Sequence, residues 1–86
     1  MMKQHMAASR FTKGQTVGIS LYDEEGRLRN DLAKKCLPYS GLTGTIGSWG
    51  YYFLNGGTRL VYHVRMDNGK VLLLTEDCLM SAKSSN

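Results

Sequence analysis

Three groups of residues in this 86-residue chain have side chains that could do chemistry. His63, Arg65 and Asp67 alternate along "YHVRMDNG", so a strand there would show all three on one face. A histidine among charged neighbours could move a proton near neutral pH. Nucleophilic catalysis would also need a serine or cysteine beside it, and the sequence by itself places none there. The expected role is a solvated strand face with one weak charge pair, and no enzymatic activity is expected. Cys36 and Cys78, the two thiols, come without a CxxC pattern and without histidines at ligand spacing. They read as small apolar residues kept reduced in an intracellular chain, with no metal or other cofactor. Gly41, Gly44, Gly47 and Gly50 recur at every third position of "GLTGTIGSWG". This is neither GxGxxG nor GxxxxGK[ST], and aromatic and β-branched residues follow where a phosphate cradle needs a helix start. The glycines are expected to bend strands, and no small-molecule substrate is expected.

The remaining chemistry is that of binding. The net charge is +4, which permits an acidic partner without requiring one. Arg27, Arg29, Lys34 and Lys35 fall on a long segment without sustained periodicity. Arg59, Arg65 and Lys70 fall on the two strands that follow and their turn. If the two sets approach one another they form a broken basic rim that steers an acidic partner. The aromatic candidates are Tyr39, Trp49, Tyr51 and Tyr52, with Phe53 and Tyr62 nearby. Consecutive Tyr51, Tyr52 and Phe53 cannot all point inward on a strand, so at least one is expected at the surface. There it could anchor a protein or stack on a base. Trp49 and two of the others could equally fill the ends of the core.

The elements that position these residues follow from local patterns. Val17, Ile19 and Leu21 alternate with Gly18, Ser20 and Tyr22, a first strand opened by the turn residues "KGQ" and plugged by Phe11. In the long 23–41 loop "NDLAKKCL" can hold one helical turn capped by Asn30 or Asp31. Pro38 stops it and pushes Leu37 toward an extended conformation. A second strand runs through "LTGTIGSWGYYFL", with Leu42, Gly44 and Ile46 on one face and a bulge or bend between Gly47 and Gly50. Asn55-Gly56-Gly57 turns the chain into "TRLVYHVRM", whose Leu60, Tyr62, Val64 and Met66 share a face. "DNGK" is a hairpin turn into "VLLLT", a strand apolar on both faces that is expected to be well covered. "EDCL" is read as a 3₁₀ turn capped by Thr75, and "LMS" as a short closing strand.

This order of strand, long loop, strand, turn, strand, tight hairpin, strand, 3₁₀ turn and short strand resembles the SH3-like small barrel over residues 11–81. "KGQTV", "YSGLTGTI", "YHVRMDNGKVLLL" and "TEDCL" carry the resemblance. They are similar to the grammar of KOW-containing ribosomal and NusG-type proteins, and of small barrel subunits of photosynthetic electron-transfer complexes. The β-subunit of nitrile hydratase carries a similar module. The resemblance implies an all-β, five-stranded SH3-like barrel; from their composition, residues 1–10 and 82–86 read as flexible tails. The resemblance also implies a non-catalytic accessory subunit that docks on a protein or a multisubunit complex, and the 23–41 loop with the basic and aromatic rim is where it is expected to do so. RNA binding in the KOW manner, by the same basic residues, is the alternative. No run approaches the roughly 20 apolar residues of a membrane helix, and "MMKQHMAASR" has no apolar core of a secretory signal. A cytoplasmic protein without membrane insertion is expected.

Overall fold

A computed structural model describes residues 10–54 and 56–82. The elements in chain order are β1 (Thr16–Ile19), α1 (Asp31–Lys34), β2 (Thr43–Leu54), β3 (Gly57–Arg65), β4 (Val71–Thr75) and β5 (Leu79–Ser81). Two 3₁₀ turns, Leu37–Tyr39 and Glu76–Cys78, precede β2 and β5. The strands form one antiparallel sheet in the order β4-β3-β2-β1-β5. The all-β class expected from the sequence is therefore observed. β4 and β5 are the sheet's two edges and do not pair with each other, so the sheet is open and barrel closure is not part of its hydrogen-bond pattern. Among the described residues no helix is long and apolar enough to cross a membrane. Of the tails expected at 1–10 and 82–86, residues 1–9 and 83–86 lie outside the described residues. At their inner ends Arg10 and Ala82 are tied down, by Arg10 N–H to the Tyr62 hydroxyl at 2.8 Å and Ala82 N–H to Thr16 O at 3.2 Å.

Period-two alternation builds the core. Val17, Ile19, Leu21, Ile46, Tyr62, Val64, Leu72 and Leu74 are buried on the inner face, and Phe11 closes one end as expected. Each fully buried side chain of this size contributes about 1.5–3 kcal/mol. Tyr62 is the hub: its ring meets Phe11 edge-on at 5.3 Å, and its hydroxyl accepts the Arg10 and Phe11 N–H groups. Cys36 and Cys78 are free and buried in this core. Burial pushes both thiols above their ordinary pKa; Cys78 adds to the effect on Cys36, while hydrogen bonds from Thr75 and Asn30 partly offset it at Cys78. Both therefore hold their protons at neutral pH, where they pack as small apolar groups.

The long loop is more ordered than its lack of periodicity implies. The Asp23 carboxylate accepts the N–H groups of Glu25 and Arg27, both at 2.9 Å, and Tyr22 bridges Leu28 to close a small turn. Asn30 caps α1 by accepting the Ala33 N–H at 3.0 Å. Leu37 is not extended as expected; it opens a 3₁₀ turn that accommodates Pro38, because a proline near the start of such a turn loses no needed N–H. Leu42 departs from expectation as well, lying exposed ahead of β2 while Gly44 and Ile46 face the core. Gly44 is fixed by close approach: a Cβ there would stand 2.6 Å from Val64 Cγ1 and 3.0 Å from Arg65 O. Thr75 precedes the 3₁₀ turn as expected, but its hydroxyl bonds the Asp77 carboxylate rather than capping the backbone.

The largest departure is β4. Leu72 and Leu74 are buried, yet Val71 is 57% exposed and Leu73 38%. A run apolar at every position suggests cover on both faces, but this antiparallel sheet packs one face of β4 and leaves the other to solvent.

Candidate docking surface

Ile46 stands opposite Val64 and Ser48 opposite His63, so Gly47 is the extra residue of a bulge, within the stretch where the glycines led one to expect it. Past that bulge β2 and β3 run on together to the Leu54–Gly57 pair. β1 pairs only with Thr43, Gly44 and Thr45 of β2, and β4 only with Val61 through Arg65 of β3. The far half of the hairpin thus projects beyond its neighbours in the sheet. Gly56, at φ +82°, takes the left-handed conformation of the connecting turn; Asn55 lies outside the described residues.

Trp49, Tyr51 and Phe53 occupy alternate positions of this projecting strand and share a face. Their cross-strand partners are Tyr62, Leu60 and Thr58. Since Tyr62 and Leu60 belong to the core, the three rings extend the core face outward. Trp49 leans on Tyr62 at 6.0 Å between ring centres and is still 39% exposed. Exposure then rises to 48% at Tyr51 and 76% at Phe53. Trp49 is thus packed on the core along one side and open to solvent on the other. Phe53 was absent from the residues read as partner-binding. Its two-residue spacing from Trp49 and Tyr51 was the available signal.

The opposite face of the same hairpin is polar. Ser48 Oγ lies 2.7 Å from His63 Nδ1, and the Tyr52 hydroxyl lies 2.7 Å from His63 Nε2. The sequence by itself places no serine beside His63; the bulge at Gly47 resets the register and sets Ser48 directly across from it. Among the described residues no carboxylate bonds His63, and both ring nitrogens are taken up by hydroxyls. Because a hydroxyl donates or accepts as needed, the chain is satisfied in either tautomer. Arg65 and Val71 join Gly47, Ser48 and His63 around an open hollow of about 430 Å³. Asp67 is exposed on the turn beyond β3, away from these hydrogen bonds.

The basic candidates are distributed among several places. Arg27 pairs with Glu25 at 3.4 Å and Asp23 at 3.9 Å, so local acids already offset its charge. Arg29 is half-buried and donates to Ser20 O and Oγ, which makes it a brace between the loop and β1. Lys34 ends α1 on the surface. Lys35 and Tyr39 line a groove whose far wall includes Lys70, so part of the loop does meet the hairpin side. Arg59 lines a different hollow with Arg10, Glu76 and Asp77. Arg65 lies on the polar face beside His63. Among the described residues no group of histidine, cysteine and carboxylate side chains could hold a metal ion. The chain matches no protein-family model, no curated protein and no solved structure.

Proposed function

We propose that this chain is a non-catalytic docking module of the SH3-like small-barrel kind, a cytoplasmic accessory subunit whose projecting hairpin seats on a protein partner or multisubunit complex. The row of Trp49, Tyr51 and Phe53 carries this reading. Tryptophan and tyrosine bury large area at little conformational cost, which is why they dominate the energetic centres of protein interfaces. The order of the elements, with a 3₁₀ turn leading into a last strand that returns to β1, supports the barrel assignment.

The same geometry favours a protein over RNA. A single-strand platform needs stacking rings and phosphate-neutralising cations along one surface. Here the three rings lie on one face of the hairpin, whereas Arg59 and Arg65 are cross-strand to Tyr52 and Thr45 on the other. Arg27 and Arg29 are engaged within the loop.

The test compares tagged wild-type protein with the Trp49→Ala/Phe53→Ser variant in quantitative recovery from the native host. The wild type should retain a defined set of proteins, and the variant should lose about tenfold or more of it, as expected for interface hot spots. Equal recovery by the two proteins refutes the reading. Retardation of a generic RNA that vanishes steeply with added salt, and survives the double substitution, would replace it with the RNA-binding alternative.

A further inference from the structure

Strand β4 is an edge of the sheet, and its pairing with β3 has a definite phase. The Met66 N–H bonds Lys70 O at 2.8 Å, and Val64–Leu72 and Tyr62–Leu74 are the next pairs of the same kind. Antiparallel ladders alternate, so Lys70, Leu72 and Leu74 direct their peptide groups to β3 while Val71 and Leu73 turn theirs outward. Outside the β3–β4 ladder, no backbone hydrogen bond among the described residues involves the N–H or C=O of Val71 or Leu73. Both side chains are exposed. Edges of this kind are usually blunted with proline, inward charge or a covering element. β4, "VLLLT", carries no charge and no proline.

A groove of about 280 Å³ runs along this edge, walled on the other side by α1 and the 3₁₀ turn that follows it. Leu32, Cys36, Leu72 and Leu73 give it an apolar lining. Tyr39, on the wall opposite β4, is held by a hydrogen bond from Asn68 to its hydroxyl at 3.1 Å, which ties that wall to the β3–β4 turn. Lys35 stands on one rim and Lys70 on the other. The ion pairs among the described residues involve Arg10 and Arg27, so neither lysine has a carboxylate partner.

We infer that the β4 edge and the α1 groove together bind an extended acidic segment of a partner protein by strand addition. Peptide groups of the incoming strand pair with Val71 and Leu73. Its alternate apolar side chains enter the groove, and its carboxylates meet Lys35 and Lys70. Main-chain pairing supplies affinity and the flanking pockets and charges supply selectivity. An extended peptide fits better than RNA because only a polypeptide matches the strand's alternating donors and acceptors. None of these residues belongs to the hairpin's aromatic row, so this inference stands or falls separately from the docking role assigned to that row.

The probe is a capped peptide of alternating glutamate and valine as long as β4, titrated into ¹⁵N-labelled full-length protein. Saturable shifts should centre on the Val71 and Leu73 amides and on Lys35. The Lys35→Glu/Lys70→Glu variant, whose changes are on the surface, should keep a dispersed spectrum and bind about tenfold more weakly. A peptide of the same charge, N-methylated at alternate residues on the side that meets β4, should produce no shifts at Val71 or Leu73. Absence of binding, shifts centred elsewhere, or equal binding of the methylated peptide overturns the inference. So would the same shifts produced by a short oligouridine, or by raising the concentration of the protein alone, which would identify RNA or a second copy as the occupant.

Discussion

The β2–β3 hairpin contains two halves that use the same kinds of residue to opposite ends. Below the bulge, Ile46 and Val64 face each other across the strands and are buried in one cluster with Phe11, Val17, Leu72 and Leu74. Above it, Trp49, Tyr51 and Phe53 continue the same face and emerge progressively into solvent. The near half is covered because Phe11 and residues of β1 and β4 join it in one buried cluster; the far half runs past the ends of β1 and β4. An apolar strand face is a demand for cover. Whether the chain itself or another molecule meets that demand depends on where the neighbouring strands end.

Replacing Tyr62, which stands opposite Trp49 and joins the two halves, by Ala is the most severe way to break the core. It empties the site beneath Phe11 and leaves the Arg10 and Phe11 N–H groups without the hydroxyl that receives them, which should cost about 3–5 kcal/mol in chemical denaturation. A loss below about 1 kcal/mol would mean that the core is organised around some other residue. Gly44→Ala comes next. The added methyl meets Val64 and the Arg65 carbonyl at distances the strands cannot accommodate without moving apart, so a loss of about 1–3 kcal/mol is expected, where alanine usually strengthens a strand relative to glycine. The far half should respond least. Phe53→Ser is expected to change stability by no more than about 0.5 kcal/mol while reducing partner recovery. If it instead destabilises the isolated protein as Tyr62→Ala does, the ring is a structural element and the contrast between the halves disappears.

Much of the near half was legible in local patterns. The alternation of Val17, Ile19 and Leu21, the "DNGK" turn with Gly69 at φ +90°, the Asn30 cap and the bulge beside Trp49 all follow from rules acting over a few residues. The candidate site was legible only in part. Residue type picks out Tyr39, Trp49, Tyr51 and Tyr52 and puts at least one of Tyr51, Tyr52 and Phe53 at the surface, but it does not single out Phe53 as the most exposed ring, and it groups the four loop cations only by proximity in sequence. Asp23, Glu25 and Ser20 then took up Arg27 and Arg29, an outcome that depends on how the loop folds back on itself. The meeting of Ser48 with His63 hinged on a one-residue slip in register, which reverses the face of every residue beyond it.

Which residues alternate, where the chain turns and which strand faces are apolar follow from the local sequence, because those properties arise from backbone sterics and from spacings of two. Which apolar faces are covered is a property of the assembled fold. Periodicity assigns Leu73 and Phe53 to a face but carries no information about what lies opposite. That depends on the length of each strand relative to its neighbours, and it leaves β4 with an open edge and the hairpin with an uncovered aromatic row.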